Sequence, residues 1–420
     1  MDVYLLPAVV GGGLGDIEET LAAGRHLARA GFPIRLYRQA GHPWPRSVEG
    51  PWDWPPLERL ATLSRAGSAA LTVTPAWGVS AAPSRPGAYG RGGPWEEEVA
   101  EIERAYGADR VLHVSLEEFA RTLSLARENR ERLREGGVRA RALGARLRAA
   151  RRSGEVETFR AAFRRFRAFD RPNVLHVFAT FRRDAGFARE FPEAVQTGPL
   201  WPGRFRAVRG ARRERTTNEW VWYASPASAE RIAPAVAAGL AAADPRTRLT
   251  IQTPRPWTVR LDAARVDVVS RPVSPEEWSS RFARARLRIV TGSRTLLEAM
   301  ELGAPFLYFN GSLGEGARAH RHRPEKLTAL LDLARDAGAD PSLRRDLADF
   351  ASARRVREVV ERAATGADTW SAFPRRWPVP SFEAPWNDAG ELIVKVARAL
   401  GRPGASAPEI VRRVRLHHLP

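Results

Sequence analysis

Leu287-Arg-Ile-Val-Thr-Gly-Ser-Arg-Thr-Leu-Leu-Glu-Ala-Met-Glu-Leu-Gly-Ala-Pro-Phe-Leu-Tyr-Phe309 reads as a strand, a small-residue turn, a short helix and a second strand. Leu287, Ile289 and Val290 end a buried strand, and Thr291-Gly292-Ser293 turns the backbone. The helix that starts near Thr295 offers its first N–H groups to an anion. Glu298 lies about one turn further on, where a carboxylate reaches a ribose hydroxyl. Gly303 and Pro305 end the helix and open the next strand.

The spacing resembles the donor-nucleotide motif of GT-B glycosyltransferases: a small residue, Ser/Thr, two apolar residues, Glu, Ala, then Gly and Pro before a strand. Those positions are Gly292, Thr295, Leu296, Leu297, Glu298, Ala299, Gly303 and Pro305. The resemblance implies a nucleotide-sugar donor held by Gly292, Ser293, Arg294, Thr295 and Glu298. It also implies an α/β chain of two Rossmann-like parallel-sheet domains facing across a cleft. The alternative is an ordinary strand–helix–strand unit with no ligand.

The 420 residues exceed one typical core and suggest two or three domains. Without cysteine there are no disulfides, no thiolate metal sites and no cysteine nucleophile. No stretch approaches the roughly 20 apolar residues of a membrane span, and Met1-Asp2-Val3-Tyr4 lacks a basic signal-peptide start, so a cytoplasmic protein is expected. The net charge of +19 comes almost wholly from arginine, Lys326 and Lys395 being the only lysines. Residues 121–170 hold 15 Arg against 6 acids, an excess of 9, on expected helices at 117–150 and 155–169. A solvated basic face and a peripheral contact with anionic membrane both fit that run. Nucleic acid is not expected as a partner, because no helix-turn-helix, zinc-finger or aromatic-basic signature occurs.

The chain opens with an apolar strand at 3–10, a glycine-rich hinge Gly11-Gly-Gly-Leu-Gly-Asp16 and a helix to about Ala30. Further strands are expected at 34–37, 70–74, 110–115 and 173–178. Trp220–Ala224 begins a second series that continues at 249–252, 266–269, 287–291 and 305–308. Helices are expected at 324–337, 342–364 and 390–400. These divide the chain into an acceptor-side domain at 1–205 with a basic helical insertion at 117–169, a donor-side domain at 206–400 and a tail at 401–420.

A dinucleotide fingerprint is not met in the hinge, since the third small residue is replaced by Asp16 and Tyr37-Arg38 stand where a ribose-binding acid belongs. The hinge, with Gly12, Gly13 and Gly15, instead resembles the first glycine-rich loop of family 28 lipid-linked N-acetylglucosaminyltransferases, which has Gly-Gly-x-Gly-Gly-His. Asp16 stands where that family has His. Sugar transfer with inversion needs a general base for the acceptor hydroxyl and positive groups for the leaving diphosphate. Asp16 is the first candidate base, an N-cap being its bland reading. His113 is the second, with a packed histidine as alternative. After the motif, Asn310, Gly311, Glu315, His320, Arg321 and His322 are candidates for holding the donor sugar and its phosphates, against a solvated basic loop.

No Asp-x-Asp triplet occurs, and the two histidines have no third ligand at recognisable spacing, so no metal and no cofactor beyond the nucleotide-sugar co-substrate are expected. The reading is a metal-independent, inverting glycosyltransferase with an unknown acceptor. A catalytically silent GT-B relative that binds a glycan or protein, and a nucleotide-sugar 2-epimerase, are the alternatives.

Overall fold

The computed structural model describes residues 1–7, 15–37, 68–75, 96–118, 171–179, 194–202, 217–224, 232–241, 245–253, 261, 266–270, 273, 275–291, 293–309, 324–366, 370, 373–374 and 388–416. Its strands are β1 (Asp2–Leu5), β2 (Ile34–Leu36), β3 (Ala70–Pro75), β4 (Val111–Glu118), β5 (Val174–Ala179), β6 (Ala194–Thr197), β7 (Glu219–Tyr223), β8 (Arg248–Gln252), β9 (Val266–Val269), β10 (Leu287–Thr291) and β11 (Phe306–Phe309). The helices are α1 (Gly15–Arg29), α2 (Glu96–Tyr106), α3 (Ala233–Leu240), α4 (Pro275–Arg284), α5 (Ser293–Leu302), α6 (Pro324–Asp336), α7 (Pro341–Ala351), α8 (Val356–Thr365), α9 (Ala389–Leu400) and α10 (Ala407–Arg415). They fall into two compact units, one built from Met1–Pro43, Pro51–Leu200 and Ser381–Pro420, the other from Trp44–Gly50 and Trp201–Pro380.

The first unit is a six-stranded parallel sheet in the order β2-β1-β3-β4-β5-β6. Its strands are buried almost throughout, because helices cover both faces and leave no polar side for alternation. One row across the sheet is polar: Arg35, Tyr4, Thr72 and His113 are successive register partners. Helix α2 meets two members of that row, Tyr4 and His113. Tyr106 donates to Asp2 Oδ2 at 2.6 Å and stands 2.7 Å from the Tyr4 hydroxyl, while Glu103 meets His113. Burial and the Asp2 carboxylate raise the Tyr106 pKa well above the usual phenol value.

The C-terminal helices belong to this first unit. Asp388 caps α9 by accepting from Gly390 N at 2.7 Å and Glu391 N at 3.2 Å. The helix buries Leu392, Ile393, Val396 and Leu400, each contributing roughly 1.5–3 kcal/mol. A Cβ at Gly390 would lie 2.4 Å from the His26 ring of α1, so glycine there permits the close crossing of the two helices. Helix α10 buries Ala407, Ile410, Val411 and Val414, and Arg415 donates to the Val174 carbonyl at 3.2 Å. Residues 390–400 join the first unit rather than the second, and the 401–420 tail contains a helix, its apolar residues recurring at the spacing of one helical face.

The second unit is a five-stranded parallel sheet in the order β11-β10-β7-β8-β9. Arg288, fully buried in β10, donates from Nε to Phe282 O at 2.7 Å and from Nη2 to Ala283 O at 2.8 Å, satisfying carbonyls at the end of α4. Asp346 of α7 accepts from Arg362 of α8 and from the Trp370 indole, fixing both against the core. Helices α3 and α8 pack closely enough that a Cβ on Gly239 would stand 2.6 Å from the Arg357 carbonyl. The helix expected at 342–364 is two helices, broken at 352–355. Ala353 and Arg355 take positive φ there, 54° and 47°, in a turn marked by neither glycine nor proline. Strand β4 continues to Glu118, two residues into the expected helical insertion; the remainder of that insertion lies outside the described residues. Among the described residues no helix is long and apolar enough to cross a membrane.

Candidate functional site

In a parallel α/β sheet, ligands bind outside the carboxyl ends of the strands where the order reverses. In the second unit the chain runs β7, β8, β9 in one direction, then returns to place β10 on the other side of β7. The reversal therefore lies between β7 and β10. The start of α5 follows the carboxyl end of β10, so topology brings the motif to the switch point independently of its residue types.

Two side-chain bonds fix that end. Trp222 of β7 directs its indole N–H at Thr291 Oγ1, 3.4 Å away, and Thr295 Oγ1 donates to the Thr291 carbonyl at 2.7 Å. The first ties the two flanking strands together; the second ties α5 to the strand before it. Trp222 also meets Phe309 edge-on at 6.4 Å, and Phe309 meets Phe350 at 6.3 Å, so the support extends into the core. Gly303 closes α5 with a φ of 64° and donates to Ala299 O and Met300 O, as its position after the helix predicts.

The electrostatics of the α5 start favour an anion. Helices usually carry acids in the first turn to complement the dipole; this one has none there and carries Arg294 instead, 7 % exposed. Glu298 follows one and a half turns along, about 7 Å from Ser293 by helix rise, and is only 3 % exposed. Gly292 and the Ser293 side chain lie outside the described residues, as do Asn310, Gly311, Glu315, His320, Arg321 and His322. Trp222 and Tyr223 were not singled out by the sequence, where the run from Trp220 to Ala224 reads only as a strand.

The first unit has its own reversal between β1 and β3, and the hinge leads from β1 into α1 at that point. Gly15 is the first residue of α1 and Asp16 the second, inside the first turn rather than at an N-cap; Gly12, Gly13 and the Asp16 side chain lie outside the described residues. His113 does not join this end. It is the third residue of β4, 1 % exposed, with Thr72 Oγ1 2.6 Å from Nδ1 and Glu103 Oε1 2.9 Å from Nε2. Both ring nitrogens are engaged inside the protein, the arrangement of a packed histidine rather than of a base open to an acceptor. Asn173 and Arg171 also donate to Glu103. The bond to His113 and the bond from Asn173 hold the Glu103 carboxyl down at about 2 against the opposing effect of burial.

No protein-family model matches this chain, and no curated protein matches it in sequence. Solved structures similar to it include a UGT transferase from Siraitia grosvenorii in complex with UDP, 12 % identical over 100 % of both chains with a TM-score of 0.43. A UDP-glucosyltransferase from Polygonum tinctorium capable of glucosylating indoxyl is 11 % identical over 99 % of this chain and 98 % of its own, TM-score 0.45. WaaG, a glycosyltransferase involved in lipopolysaccharide biosynthesis, is 16 % identical over 89 % of this chain and 97 % of its own, TM-score 0.38.

Proposed function

We propose that the second unit binds the diphosphate of a nucleotide sugar at the start of α5, and that the protein transfers the sugar to an acceptor hydroxyl. The observation that carries this reading is the position of an acid-free, arginine-bearing helix start at the strand-order reversal between β7 and β10. Negative charge develops on the diphosphate as the anomeric C–O bond breaks. Amides of the α5 first turn and the Arg294 guanidinium stabilise it there. Glu298 accepts from a ribose hydroxyl and sets the register of the nucleotide.

Inversion requires a general base to take the proton from the acceptor hydroxyl as its oxygen attacks the anomeric carbon from the face opposite the leaving group, and Asp16 is the residue type and sequence position that suit that role. The leaving group departs with the bonding pair as the nucleoside diphosphate, and the sugar inverts. The transfer is metal-independent in this account, the helix dipole and arginine supplying the positive charge. Calorimetric titration with UDP, ADP, GDP, CDP and dTDP is the test. Saturable binding of at least one supports the reading, and no binding of any contradicts it.

A further inference from the structure

Tyr223 closes β7, one of the two strands that flank the reversal, and is half-buried. Side chains alternate along a strand, so while Trp222 turns toward Thr291 and Phe309, Tyr223 turns to the opposite face. There Trp278 of α4 meets it edge-on, with centroids 5.7 Å apart and planes at 67°. Trp278 packs on Phe282 at 5.2 Å, and Phe282 lies beneath the guanidinium of Arg288 at 5.5 Å. Arg288 is itself locked on the Phe282 and Ala283 carbonyls. Four side chains thus form a continuous row of ring contacts from β10 to the carboxyl end of β7, and its last member stands at the edge of the candidate site.

The face matters. The steps β9 to β10 and β10 to β11 cross the sheet in the same direction, so right-handed connections put α4 and α5 on one face, the one Tyr223 occupies. The Tyr223 ring is therefore one strand away, about 5 Å across the sheet, from the strand that leads into the anion-binding helix start. A single ribose bridges such an offset.

We infer that Tyr223 is the stacking surface for the flat base of the bound nucleotide, held in place by Trp278, Phe282 and Arg288. This rests on the nucleotide-diphosphate reading of the same site. A ring fixed before binding loses little freedom when a base stacks on it, and removing such a ring weakens nucleotide binding roughly ten- to hundredfold.

The test is calorimetry on the full chain with Tyr223→Leu, Tyr223→Ile and Tyr223→Phe, using the nucleoside diphosphate that the wild type binds and, separately, inorganic pyrophosphate. The leucine and isoleucine variants should weaken the nucleotide ten- to hundredfold and leave pyrophosphate within twofold; the phenylalanine variant should keep wild-type affinity for both. Unchanged nucleotide affinity in Y223L or Y223I overturns the stacking role alone. Equal losses for nucleotide and pyrophosphate overturn it as well, by making the ring a support for the whole site. A wild type that binds pyrophosphate but none of the five nucleoside diphosphates overturns both this inference and the reading beneath it.

Discussion

Trp222 reaches across from β7 to β10 and directs its indole N–H at the hydroxyl of Thr291, 3.4 Å away. These are the two strands between which the sheet order reverses, so the bond joins both sides of the candidate site at the last residue before the turn into α5.

Thr291→Val keeps the side-chain shape and removes the acceptor. At 3.4 Å the bond is long, and its loss should cost about 1 kcal/mol of stability. Combined with Trp222→Phe in a double-mutant cycle, urea unfolding should give a coupling energy of at least about 0.5 kcal/mol. Strict additivity would remove the bond from the account.

Much of this arrangement is legible in the sequence, and the reasons are local. Leu287, Ile289 and Val290 form an apolar run, while Gly303 and Pro305 punctuate the helix end, so strand, helix and strand are found at 287–291, 293–302 and 306–309. What escapes depends on distant partners. His113 is read as a candidate base because Thr72, Glu103 and Asn173 come to it only when strands β3, β4 and β5 pair and α2 docks. Likewise α9 follows the second unit in sequence, and periodicity alone cannot show that it packs with α1, where Gly390 fits against His26. The break between α7 and α8 is carried by left-handed Ala353 and Arg355, residues that ordinarily continue a helix.

Glu298 is buried, so its role in nucleotide binding must be separated from its role in packing. Glu298→Gln preserves volume while removing the charge. It should weaken binding of the nucleoside diphosphate by roughly 1–3 kcal/mol, the worth of a charged hydrogen bond, with the melting temperature moved by only a few degrees. A large fall in melting temperature with unchanged affinity would make Glu298 structural.

The bonds to His113 and Asn173 and the nearby Arg171 hold the Glu103 carboxyl down at about 2 in the folded protein, below the ordinary glutamate value of 4.5. Its folded-state value is depressed, so the stabilisation is present above about pH 4.5 and is lost as pH falls toward 2. Discounted for partial exposure, it amounts to about 2 kcal/mol at neutral pH. Glu103→Gln should lose that amount at pH 7 and flatten the stability profile between pH 5 and 2. Wild-type and variant unfolding curves that fall in parallel through that window would count against the assignment.

Metal independence is tested by chelation. Sugar transfer, once a donor and acceptor are found, should persist in excess EDTA. Complete loss that Mg²⁺ or Mn²⁺ restores would require a different leaving-group stabiliser.

The arginine excess at 121–170 is tested on vesicles. If the segment contacts an anionic bilayer, each arginine contributes about 1 kcal/mol near the surface and the contact is screened within about 8 Å at physiological salt. Co-sedimentation should then require anionic lipid, fall steeply with salt, and drop on changing Arg146, Arg148, Arg151 and Arg152 to Gln. Equal pelleting on neutral and anionic vesicles would leave the run as a solvated face.

Ser293→Asp tests the central claim most directly, because it separates the helix from its proposed ligand. Ser293 is the first residue of α5, whose first turn contains no acid. A carboxylate there complements the helix dipole and should hold or raise stability by roughly 0.3–1 kcal/mol, whereas its charge would repel a diphosphate bound at the same helix start. Calorimetric titration of the variant beside the wild type, with thermal unfolding as control, should give nucleoside-diphosphate affinity at least tenfold weaker in a protein that melts no lower. A variant that binds the nucleotide as tightly as the wild type would contradict an anion site at the start of α5.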